Sequence, residues 1–218
     1  MEKFEQEKSK VKLLCFDVNG TLLDDTALFL NAINGVFGKF NKPLLPLNIL
    51  KERFGQPWTK IYREEGIAPE MASEEQLYGL YNELYAQQPK PEPFDDLKPT
   101  LEWLKDKSVI LAIVSTQQNN ITLPLLKHYG LYNFFSHFEG GVSDKAHALG
   151  SAFNHFGFRA KETAYVGDQE RDIMHAKNAG CISVGFCGGL HNFKRLSAAK
   201  PSFLIRNHSE IKNLPIFD

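Results

Sequence analysis

The stretch that decides the fold is Phe16-Asp17-Val18-Asn19-Gly20-Thr21-Leu22-Leu23, preceded by the apolar residues Val11, Leu13, Leu14 and Cys15. A short, nearly uniform apolar run reads as a strand buried on both faces, which is how strands of a parallel sheet look. Asp17 stands where that strand ends and a Gly-Thr turn begins. Ligands of open α/β sheets gather outside the carboxyl ends of the strands, so this carboxylate is placed to meet one. The ordinary alternative is a polar turn after a buried strand. What decides between them is the company the segment keeps.

Working outward, residues 109–114, 134–138, 163–166 and 182–186 read as further short apolar strands. Amphipathic runs at 119–129, 144–156 and 170–179 read as helices, and each stops at or near a glycine, Gly130, Gly157 or Gly180. This alternation predicts an α/β fold, a doubly wound Rossmann-like parallel sheet with right-handed crossovers. The interval 24–94 breaks the pattern and shows only helical periodicity, at 26–37, 58–65 and 73–87. Ser73 with Gln76 matches a capping box, and Pro89, Pro91 and Pro93 read as a hinge. The expected organisation is a charged leader at 1–10, an α/β core from 11–23 and 95–218, and a small α-helical cap at 24–94.

The chain has 218 residues, 43% of them apolar, enough for one sizeable core and a second small one. A net charge of −1 offers no field to draw nucleic acid or an anionic membrane. Residues 1–10 are charged, without the apolar centre of a signal peptide, and no run approaches the ~20 apolar residues of a membrane helix. A soluble, cytoplasmic protein is expected, with no nucleic-acid or membrane partner. Cys15, Cys181 and Cys187 lack metal-ligand spacing, and so do the seven histidines.

Three more elements stand at strand ends. The run Val109-Ile110-Leu111-Ala112-Ile113-Val114 ends in the hydroxyls Ser115 and Thr116, suited to holding a phosphate oxygen or to capping a helix. Lys145 opens the helix after the third strand, where a surface lysine is the ordinary reading. Ala164-Tyr165-Val166-Gly167-Asp168 carries a strand into a carboxylate, with Asp172 four residues on; an N-cap with an acidic first turn would look the same.

In this order, each at a strand's carboxyl end, the four elements resemble the haloacid dehalogenase (HAD) superfamily, in the subgroup with a helical cap between the first two motifs. The likeness runs from Val11 to about Gly189 and includes Ile173, Ala176, Ala179 and Gly180 after Asp172. The loop Phe54-Gly55-Gln56-Pro57-Trp58 is similar to the cap loop of phosphoglycolate phosphatase-like members. The resemblance implies a sheet order of 5-4-1-2-3 and a small phosphate ester as substrate; it sets no oligomeric state. Asp17 would be the nucleophile, forming an aspartyl-phosphate. Mg²⁺ would be held by Asp17, the Asn19 carbonyl and Asp168, with Asp172 in support. Lys145 and Ser115 would steady the transferring group. Gly20, Thr21, Thr116, Gln117, Gln56 and Trp58 would meet substrate, although aromatics at helical spacing such as Trp58 and Tyr62 ordinarily pack as core.

One residue departs from the family. Position 19 is normally the Asp that protonates the leaving group, and here it is Asn19. An amide keeps the backbone carbonyl but cannot cycle a proton, a loss of about 10²–10⁴-fold on simple alkyl esters. The open readings are turnover of substrates with good leaving groups or with another acid, a reaction that needs no such acid, and a catalytically inactive relative that binds phospholigands or a partner. An engineered replacement and deamidation at Asn19-Gly20 complete them. Phosphonate hydrolysis belongs to the second reading and would need a cap lysine, for which Lys60 is the loose candidate.

Overall fold

A computed structural model describes residues 10–217, so the leader predicted at 1–10 lies almost wholly outside the described residues. Along the chain come β1 (Leu13–Phe16), β2 (Leu23–Asp24), α1 (Thr26–Lys39), α2 (Leu47–Arg53), α3 (Lys60–Glu64), α4 (Glu74–Ala86) and β3 (Glu92–Pro93). They are followed by α5 (Leu97–Asp106), β4 (Ile110–Ser115), α6 (Asn119–His128), β5 (His137–Gly140), α7 (Lys145–His155) and β6 (Thr163–Gly167). The last elements are α8 (Glu170–Asn178), β7 (Ile182–Phe186), α9 (Phe193–Ala198) and β8 (Phe203–Ile205).

Six strands form one parallel sheet in the order β5-β4-β1-β6-β7-β8. The predicted 5-4-1-2-3 order is present, with β8 added outside β7. Successive side chains of a strand point to opposite faces, and β1 uses both. Leu14 and Phe16 join a cluster with Leu101 and Leu104 of α5 and Leu126 of α6. Leu13 and Cys15 join Ala148, Leu149 and Ala152 of α7 and Ala176 of α8. Full burial of one such Leu or Phe contributes ~1.5–3 kcal/mol, so the central strand is the best anchored. Its carboxyl end is therefore a fixed point for whatever follows.

Helices α1 to α4 bury a separate apolar cluster, including Ile33, Phe37, Leu50, Tyr62 and Leu77, which Leu190 from beyond β7 also joins. The Ser73 hydroxyl accepts from the Gln76 N–H at 3.2 Å and the Gln76 side chain accepts from the Ser73 N–H at 2.8 Å, completing the capping box of α4. The segments entering and leaving this helical unit meet as a two-residue antiparallel ladder, Leu23 opposite Pro93 and Asp24 opposite Glu92.

Three details differ from the sequence reading. The strand expected at 134–138 begins later: Tyr132–Phe134 is a 3₁₀ turn, and β5 starts at His137. The shift lets Phe135 meet Phe16 edge-on and Tyr132 stack on Phe138. The helix expected at 58–65 shortens to α3, because Trp58 lies in the turn before it. Helices α2, α5 and α9 and strand β8 had not been expected. No helix among the described residues is long and apolar enough to cross a membrane.

Candidate active site

The backbone of β1 ends with the Asp17 N–H donating to the Val166 carbonyl at 3.0 Å, which sets Asp17 beside the end of β6. Asp17 Oδ1 accepts from the Val18 N–H at 2.8 Å, and Oδ2 accepts from Lys145 Nζ at 2.6 Å. Lys145 is no surface lysine: it is 2% exposed, at the first turn of a helix capped by Asp144. Its ammonium also donates to Asp172 Oδ1 at 2.7 Å. The other Asp172 oxygen accepts from the Gln169 N–H at 3.0 Å, so this carboxylate both caps α8 and faces the lysine.

Asp168 lies where β6 ends. One of its oxygens accepts from Thr21 Oγ1 at 3.3 Å and the other from the Leu190 N–H at 2.7 Å. The approach is tight. Gly20 has φ +70°, in the left-handed region open to glycine, and a Cβ there would collide with the Asp168 carboxylate. A Cβ on Gly189 would strike both the Gly20 carbonyl and Asp168. Thr21 and Gly20, expected to meet substrate, pack against Asp168, Thr21 being fully buried.

Burial pushes the Asp17 carboxyl above its usual range, and Asp172 adds to this while Lys145 opposes it. Burial, then Asp172 and Asp17, push Asp168 well above its own. For Lys145, burial works against the charge, but Asp17 and Asp172 outweigh it and raise the pKa. The ligand oxygens of Asp17, Asp168 and Asp172 lie within 4.8 Å of one another. When ionised, three carboxylates against one ammonium leave two negative charges over. Hard oxygen donors with that excess suit a hard divalent cation.

Beside this cluster opens a cavity of about 260 Å³. Asn19, Thr116, Gln56 and Trp58, all named in the sequence reading, line it. Ser115 ends β4 fully buried, its hydroxyl accepting from the Gln117 N–H at 3.2 Å. Gln117 is not among the residues lining the cavity, and its backbone carbonyl accepts from the Gly141 N–H. Trp58 proves to be both wall and packing, edge-on to Tyr62 and Tyr78. Lys60 is exposed and pairs with Glu64 on its own helix at 3.6 Å. Among the wall residues that the sequence reading did not propose are Asp25, Thr26, Phe29, Tyr78, Tyr81 and Arg171.

Two of the scattered histidines are structural. The Glu170 N–H donates to His191 Nδ1 at 3.0 Å, leaving Nε2 to donate to the Phe54 carbonyl at 3.2 Å. Burial pushes His191 down to about 4, so it stays neutral near pH 7. His208 Nε2 donates to the Thr21 carbonyl at 2.8 Å, beneath the same loop.

The haloacid dehalogenase-like hydrolase family matches residues 14–186. The chain belongs to that family. This hydrolase is 25% identical over 220 residues to a phosphoglycolate phosphatase of Haemophilus influenzae, covering 93% of this chain and 97% of that one. It is 26% identical to another from Pasteurella multocida, with the same coverage. Its fold is similar to that of a conserved haloacid dehalogenase-like protein of Agrobacterium tumefaciens, with a TM-score of 0.79 over 93% of this chain and 96% of that one at 19% identity. A haloacid dehalogenase-like family hydrolase of Streptococcus pneumoniae gives 0.77 over 93% and 97%, also at 19%.

Proposed function

We propose that this hydrolase is a phosphatase of a small phosphorylated metabolite, dependent on Mg²⁺ and working through a phosphorylated Asp17. The observation that carries this reading is the contact of Lys145 with both Asp17 and Asp172, beside Asp168, which lines an organic-sized cavity. Two of its relatives are phosphoglycolate phosphatases, which favours a phosphate ester over other substrates. Residues 24–94 act as the cap that supplies the outer wall, and 11–23 with 95–218 act as the core; the separate apolar cluster of the helical unit supports this division.

The Asp17 carboxylate attacks phosphorus as the bond to the leaving oxygen breaks, and water then cleaves the acyl-phosphate. Lys145 neutralises charge at the attacking carboxylate, and Ser115 donates to an oxygen of the transferring group. Asp17, the Asn19 carbonyl and Asp168 would hold Mg²⁺, with Asp172 in support. The ion supplies charge that offsets repulsion between carboxylates and a phosphate dianion.

Asn19 favours a second reading, an inactive relative that binds phospholigands or a partner. The outward turn of Lys60 weighs against a phosphonate hydrolase. The test is turnover with Mg²⁺ of an activated aryl phosphate and of alkyl phosphates by wild type, Asp17→Asn and Asn19→Asp. Turnover by wild type that Asp17→Asn abolishes is the expected result. An inert wild type that Asn19→Asp revives would establish the inactive relative instead.

A further inference from the structure

Taking the phosphatase reading as given, we propose that Asp25 does the leaving-group work that Asn19 cannot. Asp25 gives the leaving oxygen its proton and recovers one from the attacking water.

The loop geometry brings these residues to the altered position. Asn19 bridges to Leu23, and the Gly20 N–H donates to the Leu23 carbonyl at 2.8 Å, so the chain folds back on itself just before Asp25. Asn19, Asp25, Thr26 and Asp168 then line one cavity. Asp25 is 7% exposed, and its Oδ2 accepts from the Tyr85 hydroxyl at 2.9 Å. Tyr85 thereby positions a carboxyl that precedes α1 without capping it by a side-chain bond. Thr26 beside it is 6% exposed, and its hydroxyl is buried away from the cavity with no partner among the described residues.

Burial pushes Asp25 up to about 6, with the Tyr85 bond opposing and Asp17 reinforcing. The titratable groups facing it are Tyr85 and Tyr81 of α4, Asp24 beside it in the chain, and Asp17 and Asp168 at the sheet edge. Arg171 lines the same cavity. A carboxyl titrating near 6 can hold a proton and release it within one turnover near neutral pH.

The protons balance. As the bond from Asp17 to phosphorus forms and the bond to the leaving oxygen breaks, the Asp25 proton passes to that oxygen and the alcohol departs. The Asp25 carboxylate then takes a proton from water as that water attacks phosphorus and releases Asp17. Phosphate, the Asp17 carboxylate and a protonated Asp25 result.

The experiment is a leaving-group series, from 4-nitrophenyl phosphate to alkyl phosphates, with wild type, Asp25→Asn, Tyr85→Phe, Asp17→Asn and the double variant Asp25→Asn/Asn19→Asp. Asp25→Asn should lower kcat/KM about 10²–10⁴-fold on alkyl esters and far less on the nitrophenyl ester. The double variant should recover the alkyl esters. Wild-type kcat/KM should fall as pH rises past about 6, and Tyr85→Phe should move that fall to higher pH. Equal effects of Asp25→Asn on both ester classes, or none, overturn the proposal. Should Asp25→Asn not fold, the wild-type series decides: a steep fall of rate with leaving-group basicity means that no acid is at work, and a shallow one supports Asp25. Turnover that survives Asp17→Asn, or an inert wild type, defeats the phosphatase reading, and the proposal falls with it; loss on Asp17→Asn with no special effect of Asp25→Asn defeats Asp25 alone.

Discussion

The sheet edge and the cavity wall facing it are built on opposite principles. At the edge, every carboxylate oxygen of Asp17, Asp168 and Asp172 has a donor from the protein. On the wall, Asp25 has the Tyr85 hydroxyl but no neighbouring ammonium to offset its burial, and Thr26 holds an unmade hydrogen bond. Saturated polar clusters stabilise a fold and specify its geometry. Unsatisfied buried groups cost free energy in the folded state. Removing groups from the two regions should therefore change stability in opposite directions.

The largest effect belongs to the edge. Lys145→Met leaves two buried carboxylates without their ammonium and should cost about 3–5 kcal/mol, read from urea denaturation of the metal-free protein. A change under 1 kcal/mol would mean that the cluster relaxes rather than binds. On the wall, Asp25→Asn should stabilise. A carboxyl lifted from 3.8 to about 6 carries a penalty that develops as pH rises between those values and is complete above the higher one. The variant should gain up to about 3 kcal/mol over wild type at pH 8 and almost nothing at pH 4. An equal gain at both pH values would assign the effect to packing.

Mg²⁺ sharpens the comparison from the ligand side. At a hundredfold excess over Kd it should stabilise wild type by about 2.7 kcal/mol, seen as a rise in Tm, and Asp168→Asn should abolish the rise. The smallest effect is Thr26→Val, which removes an unpartnered hydroxyl at nearly constant volume. It should raise stability by about 1 kcal/mol. Lower stability would show that the hydroxyl already has a partner.

The two regions were also unequally legible in the sequence. Asp17, Ser115 and Asp168 each follow an apolar run by no more than one residue, and Lys145 and Asp172 open helices. Position alone left a surface lysine and helix caps as the ordinary readings; the order of the four elements, through the family resemblance, singled these residues out. The wall is assembled across distance. Asp25 gains its meaning only from Tyr85, sixty residues later, and no local pattern links the two. A hydroxyl after a strand end can face a ligand or a neighbouring loop, and the sequence does not tell which; the Thr21 hydroxyl turns toward Asp168. Strand β8, with three residues at the sheet edge, is too short for periodicity to register. Helix α5 was legible, since Leu97, Leu101 and Leu104 keep helical spacing, but the neighbouring prolines drew the reading to a hinge.

The ladder of Leu23 and Asp24 on Pro93 and Glu92 has an evolutionary consequence. Paired strands lie about 4.8 Å apart, so the core meets everything between them as it would meet one hairpin loop. A loop's closing entropy grows only with the logarithm of its length. The sheet and its carboxylates can thus tolerate a wholly different insert at this junction, longer, shorter or otherwise folded. New leaving-group selectivity can be acquired there while the residues beneath stay in place.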